Sequence, residues 1–215
     1  MSIDDFSFEE EINYEQKWFC LFLIDVSASM SDEVLERVNE ELHNLYWRVS
    51  EDETLSQRVE LCVMTFGQDV KVLQEPALVE NFAMPKVVRE NGIIHAINCA
   101  VEKINERKCW YKQTGQIFYR PCLFLVTDKA DEKLLHCDEK KHLKEDVEQR
   151  KFDFLMVGMN GSSVYAHSSD INIKLKETMT LAQMVFSVWR SYCWDCEAPM
   201  SLSDDVPEWI TGFII

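Results

Sequence analysis

WFCLFLID, residues 18–25, sets seven consecutive apolar residues in front of an aspartate. A strand with one wet face alternates apolar and polar residues. A continuous apolar run of this length suits a central strand buried on both faces. The run is far too short to span a bilayer. Residues 31–49 follow it with helical spacing: Val34, Val38, Leu42, Leu45 and Val49 form one stripe. Ser31 suits the N-cap, and Asp32 and Glu33 suit the positive end of the helix.

The same alternation continues outward. Residues 59–66 predict a second apolar strand, and Gly67-Gln68 turns it into an edge strand in which Val70 and Val72 alternate with polar residues. Residues 93–104 predict a helix, 123–126 a buried strand ending near Asp128, 131–149 a charged helix, and 154–157 a strand. Ile171, Ile173 and Leu175 alternate as in a half-buried strand, and Leu181, Val185, Val188, Trp189 and Tyr192 stripe a final helix. Strands alternating with helices predict an α/β fold: a doubly wound, mainly parallel central sheet with one antiparallel edge strand and helices on both faces.

The chain of 215 residues carries 22 basic and 38 acidic side chains, a net charge of −16. The charge is unevenly placed. Residues 1–16 hold six acids and residues 194–215 hold five, with no Lys or Arg in either, leaving a net −5 for residues 17–193. The organisation expected is an acidic N-terminal extension (1–16), one domain (17–193) and an acidic, then apolar, C-terminal tail (194–215). Acidic ends repel phosphate, which argues against duplex nucleic acid and anionic membrane as partners.

The first residues lack the basic and apolar regions of a secretion signal, so a cytoplasmic location is expected. The eight cysteines are then expected as thiols. Cys20, Cys62 and Cys122 fall in apolar strands and suit small buried hydrophobes. Cys193-Trp-Asp-Cys196 has no second C-x-x-C to complete a zinc site, and it closes a helix rather than opening one, unlike a redox motif.

The loop after the first strand reads Asp25-Val-Ser27-Ala-Ser29-Met-Ser31. It lacks the glycines that let a backbone wrap pyrophosphate. It offers a carboxylate and hydroxyls at alternate positions, hard oxygen ligands of the kind Mg²⁺ prefers. Asp128 ends a later strand of the same sheet, and strand ends around an order-reversal point share one crevice. Asp25, Ser27, Ser29 and Asp128 are therefore candidate metal ligands. The alternative is structural: the same groups can cap the helix and tie the loop by local hydrogen bonds. A nucleophilic serine with His95 as base has no G-x-S-x-G around it and no third orienting group, so an enzyme is not expected.

These motifs carry a family resemblance. FLIDVSASMS with LFLVTD resembles a von Willebrand factor A domain and its metal-ion-dependent adhesion site over about residues 17–193. MTFGQDVKVL, AMP at 83–85 and Asn91-Gly92 look most like the bacterial TerY-type branch, linked to tellurite resistance and stress operons. The resemblance implies a non-enzymatic protein-binding module of a stress-response or defence system, with Mg²⁺ held by Asp25, Ser27, Ser29 and Asp128. An acidic residue of a partner would complete the coordination. Its implied partners are a protein kinase and a PP2C-type phosphatase. Two positions depart from the family: Ile93 stands where a threonine ligand is usual, and Lys129 where glycine is usual. An isoleucine cannot ligate, and an ammonium competes with a cation or neutralises Asp25 and Asp128 in its place. The competing reading is a scaffold with a dead metal site, binding through helix faces and tails.

Two further segments stand out. RKCWYKQTGQIFYR, residues 107–120, mixes bases and aromatics and reads as a loop packed on the domain edge, able to dock an acidic partner or one of the chain's own acidic ends. The tail DDVPEWITGFII places Trp209, Phe213 and Ile214 as candidate anchors on this domain, another protein or a second copy.

Overall fold

The computed structural model describes residues 13–88, 96–128, 137–159, 164–167 and 180–194. The elements in chain order are β1 (Trp18–Asp25), α1 (Asp32–Glu51), α2 (Glu53–Arg58), β2 (Val59–Phe66), β3 (Val70–Leu78), α3 (Ile97–Thr114), β4 (Cys122–Thr127), α4 (Cys137–Glu148), β5 (Asp153–Gly158), β6 (Val164–His167) and α5 (Leu181–Trp194). One six-stranded sheet has the order β3-β2-β1-β4-β5-β6. β1 pairs parallel with both β2 and β4, and β4 pairs parallel with β5. β3 is the expected antiparallel edge strand, and β6 is antiparallel on the opposite edge.

β1 explains the doubly wound arrangement. All eight of its residues are buried. Trp18, Cys20, Phe22 and Ile24 pack with the α1 stripe and with Leu181, Val185, Val188 and Trp189 of α5. Phe19, Leu21 and Leu23 face the other side, with Ile97, Ala100, Ile104 and Tyr111 of α3 and Leu143 and Val147 of α4. The period-two alternation of a strand thus divides one apolar run between two cores. Truncating one of the Leu, Ile, Phe or Trp side chains among these to alanine removes about 2–5 kcal/mol.

The helices begin where local chemistry sets them. The Val34 N–H donates to Ser31 Oγ at 3.2 Å, capping α1. Asp52 both ends α1 and caps α2, accepting from Thr54 and Leu55 N–H at 3.0 and 2.8 Å. At α5, Thr180 and Gln183 form a reciprocal capping box, and Glu41 of α1 accepts from Leu181 N–H at 2.9 Å.

The structure corrects one expectation. Residues 107–114, read as loop, form the second half of α3. Their polar, basic side chains hide the helix, because only Tyr111 among them continues its buried stripe. Gly115, in the left-handed region at φ 72°, stops it, its N–H bonding back to Tyr111 O. The strand expected around Ile171, Ile173 and Leu175 lies outside the described residues, and β6 falls in the stretch before it.

Candidate functional site at the carboxyl end of the sheet

The chain runs from β1 outward to β2 and β3, then returns to β4 on the other side of β1. The order therefore reverses between β1 and β4. In open α/β sheets the crevice outside the carboxyl ends at that point is where ligands bind. The parallel register sets Ile24 beside Val126, so Asp25 and Thr127 leave the sheet side by side. Both are buried, and Thr127 Oγ1 donates to Asp25 Oδ2 at 3.2 Å. Asp128, half-buried, is the next residue.

The loop from β1 to α1 is held by residues that alternate between core and crevice. Val26 is fully buried and its N–H donates to Phe66 O at 2.9 Å, extending the sheet. Ser27 N–H donates to Asp25 Oδ1 at 2.8 Å, an Asx-type turn. Met30 is fully buried, and its N–H closes a turn on Ser27 O at 3.1 Å. With Val26 and Met30 pinned in the core, the hydroxyls of buried Ser27 and exposed Ser29 meet at 2.8 Å. The D-x-S-x-S turn is held in place by Val26 within it and Met30 just after it.

The four residues Asp25, Ser27, Ser29 and Asp128 therefore lie on two adjoining strand ends. Their donor set is two carboxylates and two hydroxyls. Neighbouring oxygen ligands on an octahedral Mg²⁺ are separated by about 3 Å, given bond lengths near 2.1 Å. The 2.8 Å Ser27–Ser29 spacing fits that edge. The carboxylate of Asp25 is oriented at both oxygens, by Ser27 N–H and Thr127 Oγ1, and each oxygen retains a further lone pair. The residues present fit a hard divalent cation. Among the described residues, no group of three or more His, Cys, Asp and Glu side chains gathers to hold a metal, so a cation here would depend on the serine hydroxyls.

Three supporting residues escaped the sequence reading. Thr127 orients Asp25, and its signal was its place just before Asp128. Arg37 of α1 donates from Nη1 to Met159 O at 3.0 Å, tying the helix to the end of β5. Asn39 accepts from Val87 N–H at 2.9 Å and donates to Val87 O at 3.0 Å, fixing the backbone just before residues 89–95. Nothing in sequence spacing pairs Arg37 or Asn39 with backbone carbonyls 122 and 48 residues away.

Ile93, His95, Lys129 and the anchors Trp209, Phe213 and Ile214 lie outside the described residues, as does Cys196. Cys20, Cys62, Cys99, Cys109 and Cys122 are unpaired thiols. Burial pushes Cys20 and Cys122 well above the ordinary thiol range and Cys62 up to about 12, so these three are inert at neutral pH. A cavity of about 340 Å³ lined by Asn13, Tyr46, Gln57 and Val79 includes no residue of the crevice.

No helix among the described residues is long and apolar enough to cross a membrane. No family model matches the chain, and no curated protein matches it. Solved structures do. BatB from Bacteroides thetaiotaomicron, a conserved hypothetical protein, aligns at 16% identity and TM-score 0.40 over 65% of each chain. Proximal thread matrix protein 1 from the mussel byssus aligns at 12% identity and TM-score 0.45, over 67% of this chain and 36% of its own. A D319A mutant of the PilB minor pilin from Streptococcus sanguinis aligns at 12% identity and TM-score 0.35, over 60% of this chain and 35% of its own. The chain thus spans under two thirds of the length of each of these neighbours.

Proposed function

We propose that the chain is a non-enzymatic protein-interaction module of von Willebrand A type, closest to the TerY-like branch. In this reading it docks a partner at a partly degenerate metal-ion-dependent adhesion site. The observation that carries the reading is the juxtaposition of Asp25, Ser27, Ser29 and Asp128 at the order-reversal point, with two hydroxyls at 2.8 Å. These four residues would hold Mg²⁺. The ion, when bound, supplies a Lewis-acidic position for a carboxylate of the partner. Thr127 orients Asp25, and the buried Val26 and Met30 hold the hydroxyl turn. The setting is cytoplasmic, in keeping with the five unpaired thiols described. The partners are proteins of a bacterial stress-response or defence system, a kinase and a PP2C-type phosphatase among them, as the resemblance implies.

A second reading has its own observation. Asp25, Ser27 and Ser29 already satisfy one another and Thr127 by hydrogen bonds, so the loop is closed without an ion. A scaffold with a dead metal site would look the same. Thermal melting with Mg²⁺ and with EDTA separates the two. At ten times its Kd, Mg²⁺ stabilises by about 1.4 kcal/mol, which for a chain of this size is about 3–5 °C. The adhesion-site reading requires that shift in wild type and its loss in Asp25→Ala. A wild-type melting curve indifferent to Mg²⁺ supports the scaffold.

A further inference from the structure

A second concave site lies away from the crevice. A cavity of about 340 Å³ opens where α1 ends, α2 follows and β3 stops. Its volume falls within the range of small-molecule sites. Tyr46 and Ser50 of α1, Gln57 of α2 and the stretch from Leu78 to Glu80 line it, with Asn13 completing the wall. α1 starts at the crevice loop and reaches Tyr46 about 21 Å further along its axis. The two sites therefore share a helix but no residue. The walls of the cavity are fixed by contacts within the protein. Asn13 Nδ2 donates to Gln57 O at 3.0 Å, and its Oδ1 accepts from Glu15 N–H at 3.0 Å. The Tyr46 ring stacks on the buried Phe82 at 6.1 Å, and Phe82 N–H returns to Val79 O at 3.2 Å.

What the walls leave uncommitted defines the ligand. The Tyr46 hydroxyl and the Gln57 side-chain amide have no partner among the described residues. Ser50 Oγ donates to Trp47 O at 2.8 Å and keeps its lone pairs. Glu80 accepts from Asn81 Nδ2 at 3.3 Å through one oxygen and keeps the other. Donors and acceptors are thus both on offer, beside the apolar surfaces of the Tyr46 ring, Leu78 and Val79. The charges around the cavity oppose one another. Lys17, 4% exposed, sits behind the wall with its ammonium on Gln57 O at 2.9 Å and Asn13 O at 3.4 Å. Burial lowers Lys17 below the ordinary lysine range, while Glu60, Glu15 and more weakly Glu80 act against the shift. Arg58 and Glu15 pair with each other at 2.6 Å. An anion entering the cavity would meet Glu80, and a cation would meet the Lys17 ammonium. A neutral ligand meets neither penalty. Hydroxyls that both donate and accept, carried on a ring with an apolar C–H face, match this set of groups.

We propose that this cavity binds a neutral saccharide of one or two rings, its C–H face on Tyr46 and its hydroxyls on Gln57, Glu80 and Ser50. Trp47, 58% exposed and edge-on to Tyr46 at 5.6 Å, extends the aromatic surface for a second ring. The inference does not depend on the crevice or its cation.

Saturation-transfer NMR of the full chain with glucose, N-acetylglucosamine, maltose and cellobiose tests it. Transfer to at least one of these sugars is expected, strongest at its ring C–H protons. In a ¹⁵N-labelled sample that sugar should shift the amides of Tyr46, Ser50, Gln57 and Glu80 and leave those of Ser27 and Ser29 in place. Tyr46→Phe and Gln57→Ala each delete a polar group that bonds nothing among the described residues. Each should keep the wild-type melting curve and weaken sugar binding about threefold to tenfold, the loss of one hydrogen bond. Asp25→Ala should bind the sugar as wild type does. Citrate and spermidine, as charged competitors, should not displace it. No transfer to any of the four sugars, unchanged affinity in both cavity variants, or displacement by citrate or spermidine would overturn the proposal.

Discussion

The two ends of the sheet are built differently. At the amino end of β2, Glu60 is buried and bound by Arg107 at 2.7 Å and by the Tyr111 hydroxyl, while Lys17 is held nearby on Gln57 O at 2.9 Å. At the amino end of β5, Asp153 is enclosed by Arg120 and the Tyr192 hydroxyl. Aromatic rings flank the locks: the Arg107 guanidinium lies 3.9 Å over the Trp110 ring, and Trp18 packs against Trp189, tilted, at 5.4 Å. The carboxyl end has small hydroxyls, one exposed serine and a half-buried aspartate. One end spends its charged groups on fastening α3 and α5 to the sheet. The other buries Asp25, Ser27 and Thr127 and leaves Ser29 exposed and Asp128 half-buried at its mouth. What separates the ends is the partner of the buried acid: an arginine for Glu60 and Asp153, neutral donors for Asp25.

That contrast can be broken at either end. The largest effect is expected at Glu60. Glu60→Ala strands Arg107 without its carboxylate beside a buried tyrosine and should cost about 3–5 kcal/mol, read as a lower urea midpoint. A loss below 1 kcal/mol would show that the amino end is no lock.

The second effect is alkaline. Burial raises Cys20, Cys62 and Cys122 in the folded state; burial and then Glu60 raise Tyr111, and burial, then Cys122 and Asp153, raise Tyr192. A raised folded value keeps its stability contribution below the unfolded value and loses it as pH climbs. Between pH 9 and about 12 the unfolded chain ionises Cys62 and the folded chain does not. Stability should therefore fall by about 1.4 kcal/mol per pH unit for each such group, and Cys62→Val should flatten the slope by one group. Urea midpoints from pH 8 to 11 measure it.

The smallest effect belongs to the crevice. Asp25→Asn keeps an acceptor for Ser27 N–H and should change stability by less than about 1 kcal/mol. A loss as large as that of Glu60→Ala would turn Asp25 into a fastening group and erase the difference between the ends.

The sequence made the central strands legible for a physical reason. A strand buried on both faces has few polar positions to break the run, as residues 18–24 and 61–64 illustrate. The α1 stripe and the D-x-S-x-S loop were readable because their spacing is local. The second half of α3 was not, because a helix fastened by Arg107 rather than by leucines has no apolar rhythm there. Thr127, Arg37 and Asn39 act across the sheet or between elements, and no local spacing records such pairs. The candidate ligands were legible, while their mutual hydrogen bonds, which also support the scaffold reading, were visible only in the fold.

The placement of β1 has a consequence for the chain as it is made. Its partner β2 follows within about forty residues, but Cys20 pairs with Cys122 on β4, about a hundred residues later. At ribosomal speeds of about 5–20 residues per second, one edge of the most apolar strand waits roughly 5–20 seconds for its neighbour. During that interval the nascent protein carries an open, sticky edge. Its dependence on chaperones should be greatest just before residue 122 emerges.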